Sequence, residues 1–128
     1  MSGEIVVYLI IGVLVALYVR RYLAVRSITV FSPGEVDEKL QTDKSIFLLD
    51  VRTQKEWEQN HIKGAHHIPL HELARRYTEL EKLKGREIIL YCQSGNRSMS
   101  AALRLKRLGV TAAHMKGGLA EWNFRKLR

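Results

Sequence analysis

Apolar and polar positions divide the chain into one long greasy block followed by short alternating ones. Ile5 to Val19 contains no charge at all, and a helix over that run would be apolar on every face. After it, "SITV" (27–30) predicts a short strand. "SPGE" (32–35) predicts a helix start, with Ser32 as N-cap, Pro33 in the first position and Glu35 closing a capping box. Val36 and Leu40 give that helix its apolar stripe. "SIFLLD" (45–50) is a continuous apolar run ending in Asp, the pattern of a buried parallel strand. "TQKE" (53–56) is a second capping box, with Trp57 anchoring a short helix. "GAHHIPL" (64–70) is a turn and a short extended piece. "HELARRYTELEKLK" (71–84) predicts a helix with Leu73, Tyr77 and Leu80 on one face. "EIILYC" (87–92) is a strand, "RSMSAALRLKRLG" (97–109) a helix ended by Gly109, and "TAAHMK" (111–116) a last strand before "GGLAEW". Strands alternating with helices predict an α/β domain with a mainly parallel sheet covered on both faces. Ligands of such sheets collect beyond the carboxyl ends of the strands, where Asp50 and Cys92 both fall.

The first block needs its own account. Fifteen residues of helix rise about 23 Å, short of a hydrocarbon core of roughly 30 Å. Ser2, Gly3 and the snorkelling Arg20 and Arg21 can extend it, with Tyr8 and Tyr18 near the interfaces. A secretory signal carries its positive charge before the apolar core. Here Glu4 precedes the core, the cations follow it, and no small-x-small cleavage site appears. Residues 1–26 are therefore read as a membrane anchor with a basic flank, and 27–128 as one domain. Cations on the C-terminal side place that domain in the cytoplasm, as in a single-pass protein of a bacterial inner membrane.

At 128 residues there is room for one such domain and little else. The net charge of +8 is unevenly spread. Residues 20–26 carry +3, residues 27–96 nearly cancel, and residues 97–128 carry +7. No interleaving of aromatic and basic residues suggests nucleic acid, which is not an expected partner. Anionic lipid or a small anionic substrate accounts for "RRYLAVR" and the terminal "FRKLR" at least as well, and a solvated face accounts for Arg104, Lys106 and Arg107. The single cysteine excludes an intramolecular disulfide framework and any zinc site built from several thiolates. It also fits a reducing compartment.

That cysteine lies in "YCQSGNRS" (91–98), between a strand and a helix and among small polar residues. Gly95 lets the loop curl, so that successive amide N–H groups aim at its centre as an anion-binding nest. The following helix adds its positive end. Arg97 contributes a permanent cation or braces the loop. All of these favour thiolate over thiol. Free cysteine titrates near pH 8.5, and comparable sites fall to about 3.5–7.5. Cys92 is thus expected to be a nucleophile with a lowered pKa. The alternative, a small buried hydrophobe, fits poorly with polar neighbours.

"LLDVRTQKEWEQNHIKGAHHIPL", "ILYCQSGNRS" and "MKGGLAEW", in this order and spacing, resemble a single-domain rhodanese, a module of the thiosulfate sulfurtransferase type, from about Ser27 to Trp122. The resemblance implies a five-stranded parallel sheet flanked by helices. It implies that Cys92 takes sulfur from a donor such as thiosulfate, holds it as a persulfide and passes it to cyanide or a thiol. Gln93, Ser94, Gly95, Asn96, Arg97 and Ser98 would supply the loop's amides and hydroxyls and bind substrate. The expected partners are a small anionic sulfur donor, a thiol acceptor and, through the N-terminal helix, membrane lipid. No metal or organic cofactor is implied. Asn60 and Lys63 stand where the family commonly has Gly and Pro, which bears on pocket shape.

Two rivals remain. Phosphatases on the same fold carry C-x5-R, one residue longer than the C-x4-R found here, so that their loop can encircle phosphate. A catalytically silent, membrane-tethered binding module is the other. Asp50 and Arg52 are candidates for a supporting role, Arg52 by pairing with Glu56 or lining the pocket mouth, and turn stabilisation explains them equally well. His61, His66, His67 and His71 crowd one stretch, but adjacent histidines of an extended segment point to opposite faces and make a poor metal set.

Overall fold

The computed structural model describes residues 2–83 and 85–124. Its first element, α1 (Gly3–Arg26), is a 24-residue helix, about 36 Å long. It runs straight through Arg20 and Arg21, so the span is longer than the uncharged run alone. No residue of α1 is buried in the chain. It is one helix, near the N-terminus, that is long and apolar enough to cross a membrane. Its last turn meets the domain: Ala24 and Val25 pack against the core, and Lys106 Nζ donates to Ser27 Oγ at 2.5 Å.

Beyond α1 the elements alternate as expected: β1 (Val30–Phe31), α2 (Pro33–Thr42), β2 (Phe47–Asp50), α3 (Gln54–Gln59), β3 (His66–His67), α4 (Leu73–Arg76), α5 (Thr78–Glu81), β4 (Ile88–Tyr91), α6 (Asn96–Arg107) and β5 (Ala113–Met115). The five strands form one sheet in the order β1-β5-β4-β2-β3, and every pairing is parallel. Alternation along β2 and β4 splits the core in two. Leu49 and Leu90 face a cluster with Leu73, Leu80, Ala101, Ala102 and Leu105. Leu48, Ile89 and Tyr91 face the other side, with Val36, Ile62, Leu119 and Trp122.

Both capping boxes form. Ser32 Oγ accepts from the Glu35 amide and Thr53 Oγ1 from the Glu56 amide, while each glutamate reaches back to the cap. The strands are shorter than the sequence suggests. "SITV" contributes only Val30, because Ser27 caps α1. The helix expected over 71–84 is also corrected. A 3-10 turn over Leu70–Glu72 leads into α4, and the hydrogen-bond ladder is interrupted at Tyr77 before α5. Leu73 and Leu80 still reach the core, so the apolar face is kept while the ladder breaks ahead of β-branched Thr78. Of "FRKLR", residues 125–128 lie outside the described residues.

Candidate active site

β2 and β4 are neighbours, and their carboxyl ends place Asp50 and Tyr91 side by side. Cys92 follows β4 and is only 1% exposed. It belongs to the apolar cluster on one side of the sheet, and its sulfur also receives hydrogen bonds from the loop. The Gly95 amide donates to Sγ at 3.0 Å and the Ser98 amide at 3.4 Å, while Ser98 Oγ lies 3.6 Å away. Gly95 takes φ 104°, a conformation that side chains resist, and this turns the chain back over the sulfur. Ser98 is in the first turn of α6, so its amide is one of the helix's unpaired donors. The loop curls around an anion-sized centre.

A second segment holds the loop in that attitude. The Leu119 amide binds the Cys92 carbonyl at 2.8 Å, and the Ala120 amide binds the Gln93 carbonyl at 3.0 Å. In a trans peptide, C=O and N–H point in opposite directions. Tying the Gln93 carbonyl outward therefore turns the Ser94 amide inward, where it helps to lower the thiol's pKa. Only glycine fits at 118, since a Cβ there would lie 2.4 Å from the Cys92 carbonyl oxygen. "KGGLAEW" is thus the backing of the cysteine loop. This role is invisible in its own residues, because the partner atoms are backbone atoms over 20 positions earlier.

These contacts set the thiol's acidity. Burial is the largest single influence and opposes ionisation. The hydrogen bonds from the Ser98 amide and hydroxyl and from the Gly95 and Ser94 amides together outweigh it, and hold Cys92 below the ordinary thiol value. The remaining loop side chains are turned elsewhere. Gln93 Oε1 lies 3.4 Å from Arg52 Nη1, and Arg97 forms a two-pronged pair with Glu56 at 2.6 and 2.8 Å. Gln93, Ser94 and Asn96 are exposed and form the rim.

Arg52 does not pair with Glu56. It folds back on Asp50, with Nε and Nη2 within 2.8–3.1 Å of the carboxylate, and both residues are buried. A single residue, Val51, separates them, which suits a tight turn. Arg52 Nη2 also donates to the Asn60 carbonyl at 2.6 Å. The pair thereby joins the end of β2, the end of α3 and the rim residue Gln93. Glu56 is taken instead by Arg97, 41 residues along the chain, a pairing the sequence does not advertise.

The Arg97 hydrogen bonds draw the Glu56 carboxyl down from 4.5 to about 2, against burial and with help from Thr53. The carboxyl's affinity for a proton is lower in the folded chain, so the pair stabilises the fold fully above about pH 4.5 and loses its contribution as pH falls toward 2. Both side chains are about a third exposed, which limits the pair to ~1 kcal/mol. Glu56→Gln keeps the capping box and removes the charge. Urea melts at pH 7 should show a loss of about that size, shrinking as pH is lowered from 4.5 toward 2. A loss that stayed constant with pH would show that the ion pair is not its source.

The histidines are dispersed by stacking. Trp57 lies between His61 and His67, with ring centroids 3.4 and 4.8 Å away and nearly parallel planes, and His66 stacks on Phe47. His67 Nε2 meets the Arg52 carbonyl at 2.7 Å. Among the described residues, no three His, Cys, Asp or Glu side chains are grouped to hold a metal. A fifth histidine, His114 on β5, is the one that reaches the loop: its Nδ1 is 2.8 Å from Ser98 Oγ. The sequence shows it only as one position in a strand. A cavity of about 500 Å³ between α5, the start of β4 and the end of α6 lies at the opposite end of the sheet from Cys92.

Comparison with known proteins agrees with this geometry. A family model described as a rhodanese-like domain matches residues 32–124. A sulfurtransferase of Allochromatium vinosum is 31% identical over 88 residues, 68% of this chain and 80% of that protein. YrkF of Bacillus subtilis is 38% identical over 86 residues, 66% of this chain, which spans 45% of that relative's length. Among solved structures, a rhodanese-related protein of Thermoplasma volcanium superposes with a TM-score of 0.65 at 28% identity, covering 73% of this chain and 89% of that one.

Proposed function

The chain belongs to the rhodanese-like family, and from that premise we propose that it transfers sulfane sulfur by way of a persulfide on Cys92. Sulfur transfer in general is what kinship with proteins named sulfurtransferases supports. The observation that carries the finer reading is the convergence of the Gly95 and Ser98 amides on the Cys92 sulfur. A ring of N–H donors serves each stage of a two-step exchange, because the group at its centre is anionic before and after the sulfur arrives.

The donor is a small anion such as thiosulfate. The Cys92 thiolate forms an S–S bond to its outer sulfur, the donor's own S–S bond breaks, and sulfite leaves with the electron pair. The acceptor, cyanide or a thiolate, then bonds to the outer sulfur of the persulfide. The Cys92–sulfur bond breaks, and its electron pair restores the thiolate. The donor reaches Cys92 past the exposed rim of Gln93, Ser94 and Asn96. Arg97, already paired with Glu56, acts more as a brace than as a free cation. Asp50 and Arg52 support the loop through Gln93 and Asn60.

We place α1 across a membrane with the domain on the cytoplasmic side, on the strength of Arg20, Arg21 and Arg26 at its C-terminal flank. The experiment is an assay of the full chain in detergent with thiosulfate and cyanide. Equal amounts of sulfite and thiocyanate are expected. Release of phosphate from an aryl phosphate in place of sulfur transfer would favour a phosphatase, and neither product would leave a silent binding module.

A further inference from the structure

The persulfide scheme makes no use of His114, a buried histidine whose Nδ1 lies 2.8 Å from the oxygen of the serine that touches Cys92. Ser98 Oγ has one proton and two lone pairs. Three groups compete for them: His114 Nδ1 at 2.8 Å, the Gly95 carbonyl at 3.1 Å and the Cys92 sulfur at 3.6 Å. A thiol can donate to the oxygen, whereas a thiolate or persulfide can only accept from it.

His114 decides which of these arrangements is available. If its proton sits on Nε2, the bare Nδ1 accepts a hydrogen bond from the Ser98 hydroxyl. The oxygen then has nothing to give the sulfur, and Cys92 satisfies it best as a thiol. If the proton sits on Nδ1, His114 donates to Ser98 Oγ. The hydroxyl proton is then left to the Gly95 carbonyl at 3.1 Å and the sulfur at 3.6 Å, and the full charge of a thiolate draws it toward the sulfur, so the anion is favoured. We propose that His114 is a positioning residue that acts through Ser98: held as the Nδ1–H tautomer, it directs the serine proton at Cys92 and so favours the anionic sulfur. His114 sits in the sheet between Val30 of β1 and Leu90 of β4, and Gly95 lies against its ring edge. Burial holds its pKa below the usual imidazole value, so the ring works as a neutral dipole.

For its effect on rate this inference rests on the sulfur-transfer reading, but its tests need no sulfur donor, so either can fail without the other. The thiolate of the full chain in detergent is followed by its ultraviolet absorbance across a pH series. His114→Phe should reduce the thiolate-to-thiol ratio at fixed pH by roughly tenfold, the equivalent of one unit of acidity. His114→Asn, which keeps a side-chain N–H, should recover part of the loss. In a Ser98→Ala background, His114→Phe should have no further effect, because the intermediary is gone. Nitrogen-15 spectra of histidine-labelled wild-type protein should show His114 protonated at Nδ1, a result independent of whether any variant folds. An unchanged ratio in His114→Phe, an equal effect with and without Ser98, or a proton on Nε2 would each overturn the proposal.

Discussion

Cys92→Ala is expected to reduce sulfur transfer by at least about 10³-fold, to the level of the uncatalysed exchange. The loop is built around one atom: two amides and a hydroxyl meet Sγ, and nothing else among them can bond covalently to sulfur. Removing that atom leaves the anion-binding bowl intact, so the variant should still fold with a melting temperature within a few degrees of the wild type. Loss of turnover with retained stability is the distinguishing pair of results. A variant that kept more than about a tenth of the wild-type rate would mean that the chemistry lies elsewhere, since no nucleophile removal is that mild.

The second large effect concerns folding. Asp50→Ala should lower stability by about 3–5 kcal/mol, because it strands the Arg52 guanidinium without its counter-charge in a site that is 2% exposed. For a domain of this size that corresponds to roughly 15–25 °C in melting temperature. It is also a sizeable share of the 5–15 kcal/mol that such domains possess in total. Tyr91 packs beside the pair: its hydroxyl accepts from the Ile62 amide at 3.1 Å, and burial together with the Asp50 charge keeps it protonated far above neutral pH. Asp50→Ala combined with Arg52→Leu should recover much of the loss, since replacing both charges by apolar groups is often close to neutral. Thermal melts of the single and double variants decide this. A single variant within 1 kcal/mol of wild type, or a double variant no better than the single one, would show that the pair does not carry the turn.

What could be read in the sequence was local. Ser32–Glu35 and Thr53–Glu56 announce their caps within four residues, and both form. "SIFLLD" announces a buried parallel strand and "EIILYC" a strand, and these become neighbours in the sheet. The bowl around Cys92 is compressed into seven residues, with Gly95 marking the only position that needs a positive φ. What stayed hidden depends on residues that meet only after folding. Arg97 and Glu56 are 41 positions apart, and His114 reaches Ser98 from the next strand. Gly118 supports the loop through backbone atoms that carry no sequence signature. The break at Tyr77 was hidden for a different reason. Leu73 and Leu80 keep helical spacing whether or not the ladder between them is continuous, so the apolar pattern cannot report it.

On the proposed function, the loop's amides make Cys92 a sulfur acceptor. Mass spectrometry of the full chain after thiosulfate treatment tests that most directly. The result expected is a gain of one sulfur atom localised to Cys92 and removed by cyanide. An unmodified Cys92 under conditions where thiosulfate is present in excess would contradict it.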